Sequence, residues 1–117
     1  MRTFKHQAAQ GDLLIRRVER IPEGLKKMDT EAGKFIVAHS ETGHHHVIEA
    51  RPNVIVFDTQ DPLVSYLQVI EATDEAEAII EHLRSFDTHE SLSVPPGNYE
   101  IRRQRENAPE GWRRAAD

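Results

Sequence analysis

Lys34-Phe35-Ile36-Val37-Ala38-His39-Ser40-Glu41-Thr42-Gly43-His44-His45-His46-Val47-Ile48-Glu49-Ala50 is the stretch on which the reading of the fold turns. Two runs rich in apolar and β-branched residues, Lys34 to His39 and His44 to Ala50, flank Glu41-Thr42-Gly43, where Gly43 offers the positive φ that a tight hairpin needs. The pattern predicts two antiparallel strands, with the histidine triplet opening the returning one.

Working outward, the same signals recur. Gly11-Asp12 precedes the apolar run Leu13 to Val18, which ends at Pro22-Glu23-Gly24 and reads as a strand near residues 12–19. Residues 25–33 read as a loop. Asn53 to Phe57 and Leu63 to Ile70 are further strand candidates, separated by Asp61-Pro62. In Tyr99 to Arg105, alternation places Tyr99 and Ile101 on one face, after the turn Val94-Pro95-Pro96-Gly97-Asn98. Residues 74–86 read as a helix, because Ala76, Ile79, Ile80, Leu83 and Phe86 recur at helical spacing behind a capping box of Asp74 and Glu77. The competing reading is a strand from Ala78 to Leu83. Many strands, Pro and Gly turns and at most one helix give a mainly β fold, an antiparallel sandwich or a small jelly-roll or cupin-like barrel.

With 117 residues the chain is the size of one domain, so residues 1–117 are taken as a single unit, with 107–117 a polar tail that docks through Trp112. The hydrophobic share of 38% is that of a globular protein. No run approaches the roughly 18 apolar residues of a membrane span, and Met1 to His6 lacks the apolar core of a secretory signal, so the expectation is a cytoplasmic protein that does not enter membranes. The net charge of -5 argues against nucleic acid as a partner. The arginines at 102, 103, 105, 113 and 114 do not change that, since strand alternation splits them between faces and no aromatic platform is interleaved. A β domain with open edges commonly closes them by pairing, which points to a homodimer.

There is no cysteine, so any metal must be held by His, Asp or Glu. On a strand, His44 and His46 project to one face about 7 Å apart, while His45 faces the other way. Two imidazoles so placed converge on one ion, and His89 is the preferred third ligand, from a neighbouring strand. His82 substitutes for it if residues 78–83 are a strand, and His39 reaches in from across the hairpin. Glu49 and Glu90 are the carboxylates placed to join the ion or to orient an imidazole. The competing reading of the triplet is a solvated hairpin rim.

His-x-His on one strand with a third His on a later strand resembles the zinc site of the alpha-class carbonic anhydrases. That resemblance implies zinc on His44, His46 and His89, a water-activating reaction and carbon dioxide as substrate. Gly43, His44, His46 and Glu49 are also similar to the first cupin metal motif, which implies an iron or nickel enzyme. Here Gly43 directly precedes the first His, Glu49 follows His46 more closely than in cupins, and no His follows Pro95-Pro96-Gly97.

A zinc ion with an open position lowers the pKa of bound water to about 7 and supplies hydroxide near neutrality. The expected activity is therefore hydration of a small molecule, carbon dioxide first. Thr42 or Thr88 would hold the hydroxide, and Arg102 or Gln104 would orient an anionic product. The alternatives are the cupin-like iron or nickel enzyme and a non-catalytic metal-binding or interaction module.

Overall fold

The computed structural model describes residues 2–38, 46–71, 78–82 and 89–103. Eleven strands occur there: β1 (Arg2–Thr3), β2 (Gln7–Gln10), β3 (Leu13–Val18), β4 (Lys26–Lys27), β5 (Lys34–Ala38), β6 (His46–Glu49), β7 (Val54–Asp58), β8 (Val64–Val69), β9 (Ala78–His82), β10 (His89–Val94) and β11 (Gly97–Arg103). They form two sheets. The first has the order β1-β10-β9-β6-β5 and the second β2-β3-β11-β8-β7-β4. Every pairing is antiparallel except the short parallel contact of β1 with β10. The expected mainly β sandwich is what the chain forms.

The reason lies in the two-residue period. In the second sheet Leu13 and Ile15 alternate inward on β3, Val54 and Val56 on β7, Leu67 and Val69 on β8, and Tyr99 and Ile101 on β11. Across the interior the first sheet supplies Phe35, Ile48, Ala78, Ile80, Leu92 and Val94. Each of these strands thus removes one apolar face from water, at roughly 25 cal/mol per Å² buried. The polar residues between them stay outside, as with Glu100 of β11, which meets Arg16 and Arg102 at 3.2 and 3.4 Å on the outer face.

Two elements depart from the sequence reading: Lys26–Lys27, inside the expected loop 25–33, form β4 against β7, and the expected helix is not what forms at residues 78–82. Residues 78–82 are a strand, not part of a helix; residues 74–77 and 83–86 of the expected helix lie outside the described residues. β9 sits between β6 and β10, so its backbone is hydrogen-bonded on both edges, and Ala78 and Ile80 alternate into the core. Ladder bonds on two sides and complete burial of Ile80 outweigh a helical spacing whose intrinsic preference is a weak prior. The turn expected at Glu41 to Gly43 and the tail 107–117 with Trp112 also lie outside the described residues.

The end of the sandwich near β11's first residue is fixed by a packed corner. Tyr99, fully buried, donates its hydroxyl to the Pro95 carbonyl at 2.6 Å and meets Phe4 edge to face at 5.6 Å. The Arg17 guanidinium lies over its ring at 4.9 Å and donates to the Pro96 and Lys5 carbonyls at 3.1 and 2.8 Å. Gly97 has a φ of 149°, and a Cβ there would collide with Arg17 Nη1. Replacing Gly97 by Ala therefore both strains the backbone and dislodges Arg17. The expected loss is about 1–3 kcal/mol, read as a lower urea midpoint at unchanged slope.

Candidate functional site

At the opposite end of β11 the interior becomes polar. β2 and β3 are joined by the two-residue turn Gly11-Asp12, closed by the Gln10–Leu13 pair, with Gly11 at a φ of 60° as a type II′ hairpin requires. The turn leaves Gln10 and Asp12, two residues apart, on the same side. Both reach the first sheet and meet there the ring of His46, the first residue of β6, which is 1% exposed.

Gln10 Nε2 donates to the Ile80 carbonyl of β9 at 2.8 Å, which turns its Oε1 toward His46 Nδ1 at 2.9 Å. On the other side of the ring, Nε2 lies 3.1 Å from Asp12 Oδ1. The second oxygen of Asp12 accepts from Arg103 Nε at 3.1 Å. Arg103 reaches this point because it continues the inward series Tyr99, Ile101, Arg103 on β11 and pairs with Leu13. The carboxyl of Asp12 is lowered from 3.8 to about 2, chiefly by the hydrogen bond from His46 and then by Arg103, against the opposing effect of burial. At neutral pH it is a fixed anion between two cationic or proton-donating groups.

The sequence candidates distribute unevenly around this cluster. His46 is at its centre. His82 of β9 is the register partner of His46, and His89 of β10 is the register partner of His82. The three histidines therefore occupy one row of backbone positions across three adjacent strands. Glu90 also lies on β10. Glu49 is exposed and alternates to the face opposite His46 and Ile48, so it is not brought to the ring. Arg102 is on the outer face of β11 beside Glu100, one residue out of phase with the site. His39, Thr42, His44, His45, Thr88 and Gln104 lie outside the described residues. Among the described residues no group of three or more His, Asp or Glu side chains converges as a metal cage, and His46 with Asp12 is a pair.

Three residues of the cluster escaped the sequence reading. Arg103 was within reach, since it shares the parity of Tyr99 and Ile101. Asp12 was visible only as a turn residue. Gln10 carried no signal, because β2 has the composition Gln-Ala-Ala-Gln and no hydrophobic alternation.

A family model described as a domain of unknown function, DUF8820, matches residues 9–104. The chain belongs to that family. The DUF8820 match spans Gln10, Asp12, His46, His82, His89 and Arg103, so the whole cluster is part of the domain itself and not of a flanking segment. No curated protein and no solved structure matches the chain.

The depressed carboxyl of Asp12 predicts an acid dependence whose sign is fixed. Its contribution, about 2 kcal/mol for a shift of this size, is fully present above the unfolded value near 3.8 and is lost as the pH falls toward 2. Urea unfolding in the presence of a chelator should show wild type losing that increment between about pH 5 and pH 2. Asp12→Asn should be less stable near neutrality and should lack that part of the acid dependence.

Proposed function

We propose that the domain holds a divalent metal, zinc first, at the polar end of the sandwich, and uses it to activate water for the hydration of a small molecule. The observation that carries this reading is the row of His46, His82 and His89 across β6, β9 and β10. Adjacent strands are about 4.8 Å apart, so the three backbone positions lie side by side at one level. Neutral imidazole is a good ligand for zinc, and three such ligands leave a position for water. His44, two residues before His46, is the further candidate from the hairpin.

The same end of the molecule carries an arginine. Arg103, not Arg102, is placed to orient an anionic product, because it already reaches Asp12 from the inner side of β11. A water-activating zinc beside a cation suits the conversion of carbon dioxide to bicarbonate, a substrate that asks for little recognition surface. Glu49, which a cupin-like iron or nickel site would use, is on the wrong face for His46, and this favours zinc over that alternative.

A second reading has an observation of its own. Each ring nitrogen of His46 has an oxygen partner, as in a clamp between sheets, and a clamp of this kind suits a binding module without chemistry. Metal content separates the two. Protein purified without added metal should contain about one zinc per chain. Zinc-loaded wild type should hydrate carbon dioxide in stopped-flow assays, with the rate falling about a hundredfold in His46→Ala and His82→Ala. Equal rates in all three, or a metal-free protein of unchanged stability, would sink the catalytic reading.

A further inference from the structure

The second sheet carries a cavity that the metal reading does not use. β3 and β4 are not neighbours: β11, β8 and β7 lie between them, so the connection at residues 19–25 has to cross those three strands. It leaves β3 beside Asn98, at the far end of β11 from Arg103. Between this crossing segment and the sheet opens a cavity of about 360 Å³. That volume is at the small end of the range for ligand sites.

Three strands form the floor. Asn98 of β11 and Gln68 of β8 are register partners, and Phe57 of β7 stands diagonally from Gln68, since its own partner is Tyr66. Each follows or precedes a buried residue, Tyr99, Leu67 or Val56, and so projects from the outer face. The crossing segment supplies Ile21 and Leu25 as a half-buried apolar wall and the exposed Arg20 and Glu23. Asn98 Nδ2 donates to the Glu19 carbonyl at 3.3 Å, which ties the segment to the sheet and leaves Oδ1 without a donor among the described residues. The half-buried Gln68 carboxamide has no hydrogen bond to any described residue.

These features define a ligand by its chemistry. Arg20 and Glu23 cancel in charge, so the lining sets up no net field that would select an ion of either sign. Two carboxamides, a carboxylate and a guanidinium offer both donors and acceptors, and a hydroxyl can answer either kind. The Phe57 ring with Ile21 and Leu25 requires an apolar surface in addition. A ring with hydroxyls around its edge and C–H groups on its face meets both conditions. We propose that this cavity binds a neutral sugar, with the C–H face of one pyranose ring on Phe57 and its hydroxyls on Gln68 and Asn98. The proposal is independent of the metal reading, since none of these residues belongs to the His46 cluster.

Proton–nitrogen correlation NMR of the full chain, titrated with methyl glucoside, methyl galactoside, methyl mannoside and N-acetylglucosamine, tests it, with adenosine and glycerol in parallel. At least one of the sugars should shift the side-chain amides of Gln68 and Asn98 and the backbone amides of Ile21, Gly24 and Leu25. Saturation transfer should run from the Phe57 ring to the sugar's C–H protons. Gln68→Leu, which keeps the size of the side chain on the outer face, should weaken binding about tenfold, and Phe57→Ala should weaken it by about as much. Unchanged urea midpoints establish that a variant is folded. No shift with any of these sugars, shifts confined to other parts of the chain, or wild-type affinity in a folded Gln68→Leu overturns the proposal. Adenosine bound there in place of the sugars overturns it as well, and so does glycerol if it reproduces the shifts at equal concentration.

Discussion

A buried imidazole with an oxygen on each nitrogen is what the polar end of this sandwich is built around. Elsewhere the two sheets meet through hydrocarbon, which is non-directional and tolerates sliding of one layer on the other. His46 does not. Its ring is reached from the facing sheet by Gln10 and Asp12, and Gln10 also grips the Ile80 carbonyl of the neighbouring strand. Three directional contacts thus fix the β2–β3 turn against β6 and β9. Each of these contacts is directional, so the cluster favours one relative placement of the layers. Arg103 ties β11 into the same cluster through Asp12.

The turn that delivers Gln10 and Asp12 depends on Gly11. With φ at 60°, this residue lets the chain reverse in two residues, and the reversal is what keeps positions 10 and 12 together above the core. Both flanking strands are then committed: Leu13 and Ile15 must face inward, and Gln10 shares the Leu13 level. A polar side chain at that level is tolerated because the opposing strand offers a carbonyl and an imidazole at hydrogen-bond distance. Backbone geometry and interior chemistry are one constraint here.

What the sequence reveals of this follows from periodicity. Apolar runs mark β3, β7, β8 and β11 as strands, and the shared face of Tyr99 and Ile101 on β11 is the inward one, because a one-residue slip would turn every apolar side chain to water. The same alternation decides the arginines: Tyr99, Ile101 and Arg103 share a face, and Arg102 belongs to the other. β9 is harder, since Ile79 and Ile80 fit both a helix and a strand, and the choice is made by the vacant edges of β6 and β10, which are distant in sequence. β2 is harder still. Gln7-Ala8-Ala9-Gln10 has no β-branched residue, and only pairing with β3 makes it a strand.

The candidate site was legible in proportion to how local its signal is. His46 stands out because three histidines in a row are unusual, whereas Asp12 and Gln10 are ordinary residues whose meaning comes from contacts 34 and 36 positions away. Arg103 is farther still, 91 positions from Asp12. Contacts of such sequence separation exist only once both sheets have formed and docked. The hydrogen bonds of the cluster therefore form only in the folded chain, and they contribute to stability only there. Charge reinforces the same coupling: the Asp12 carboxylate, kept ionised inside the sandwich, has one oxygen on Arg103 and the other on His46, and those pairings too exist only once the sheets have docked.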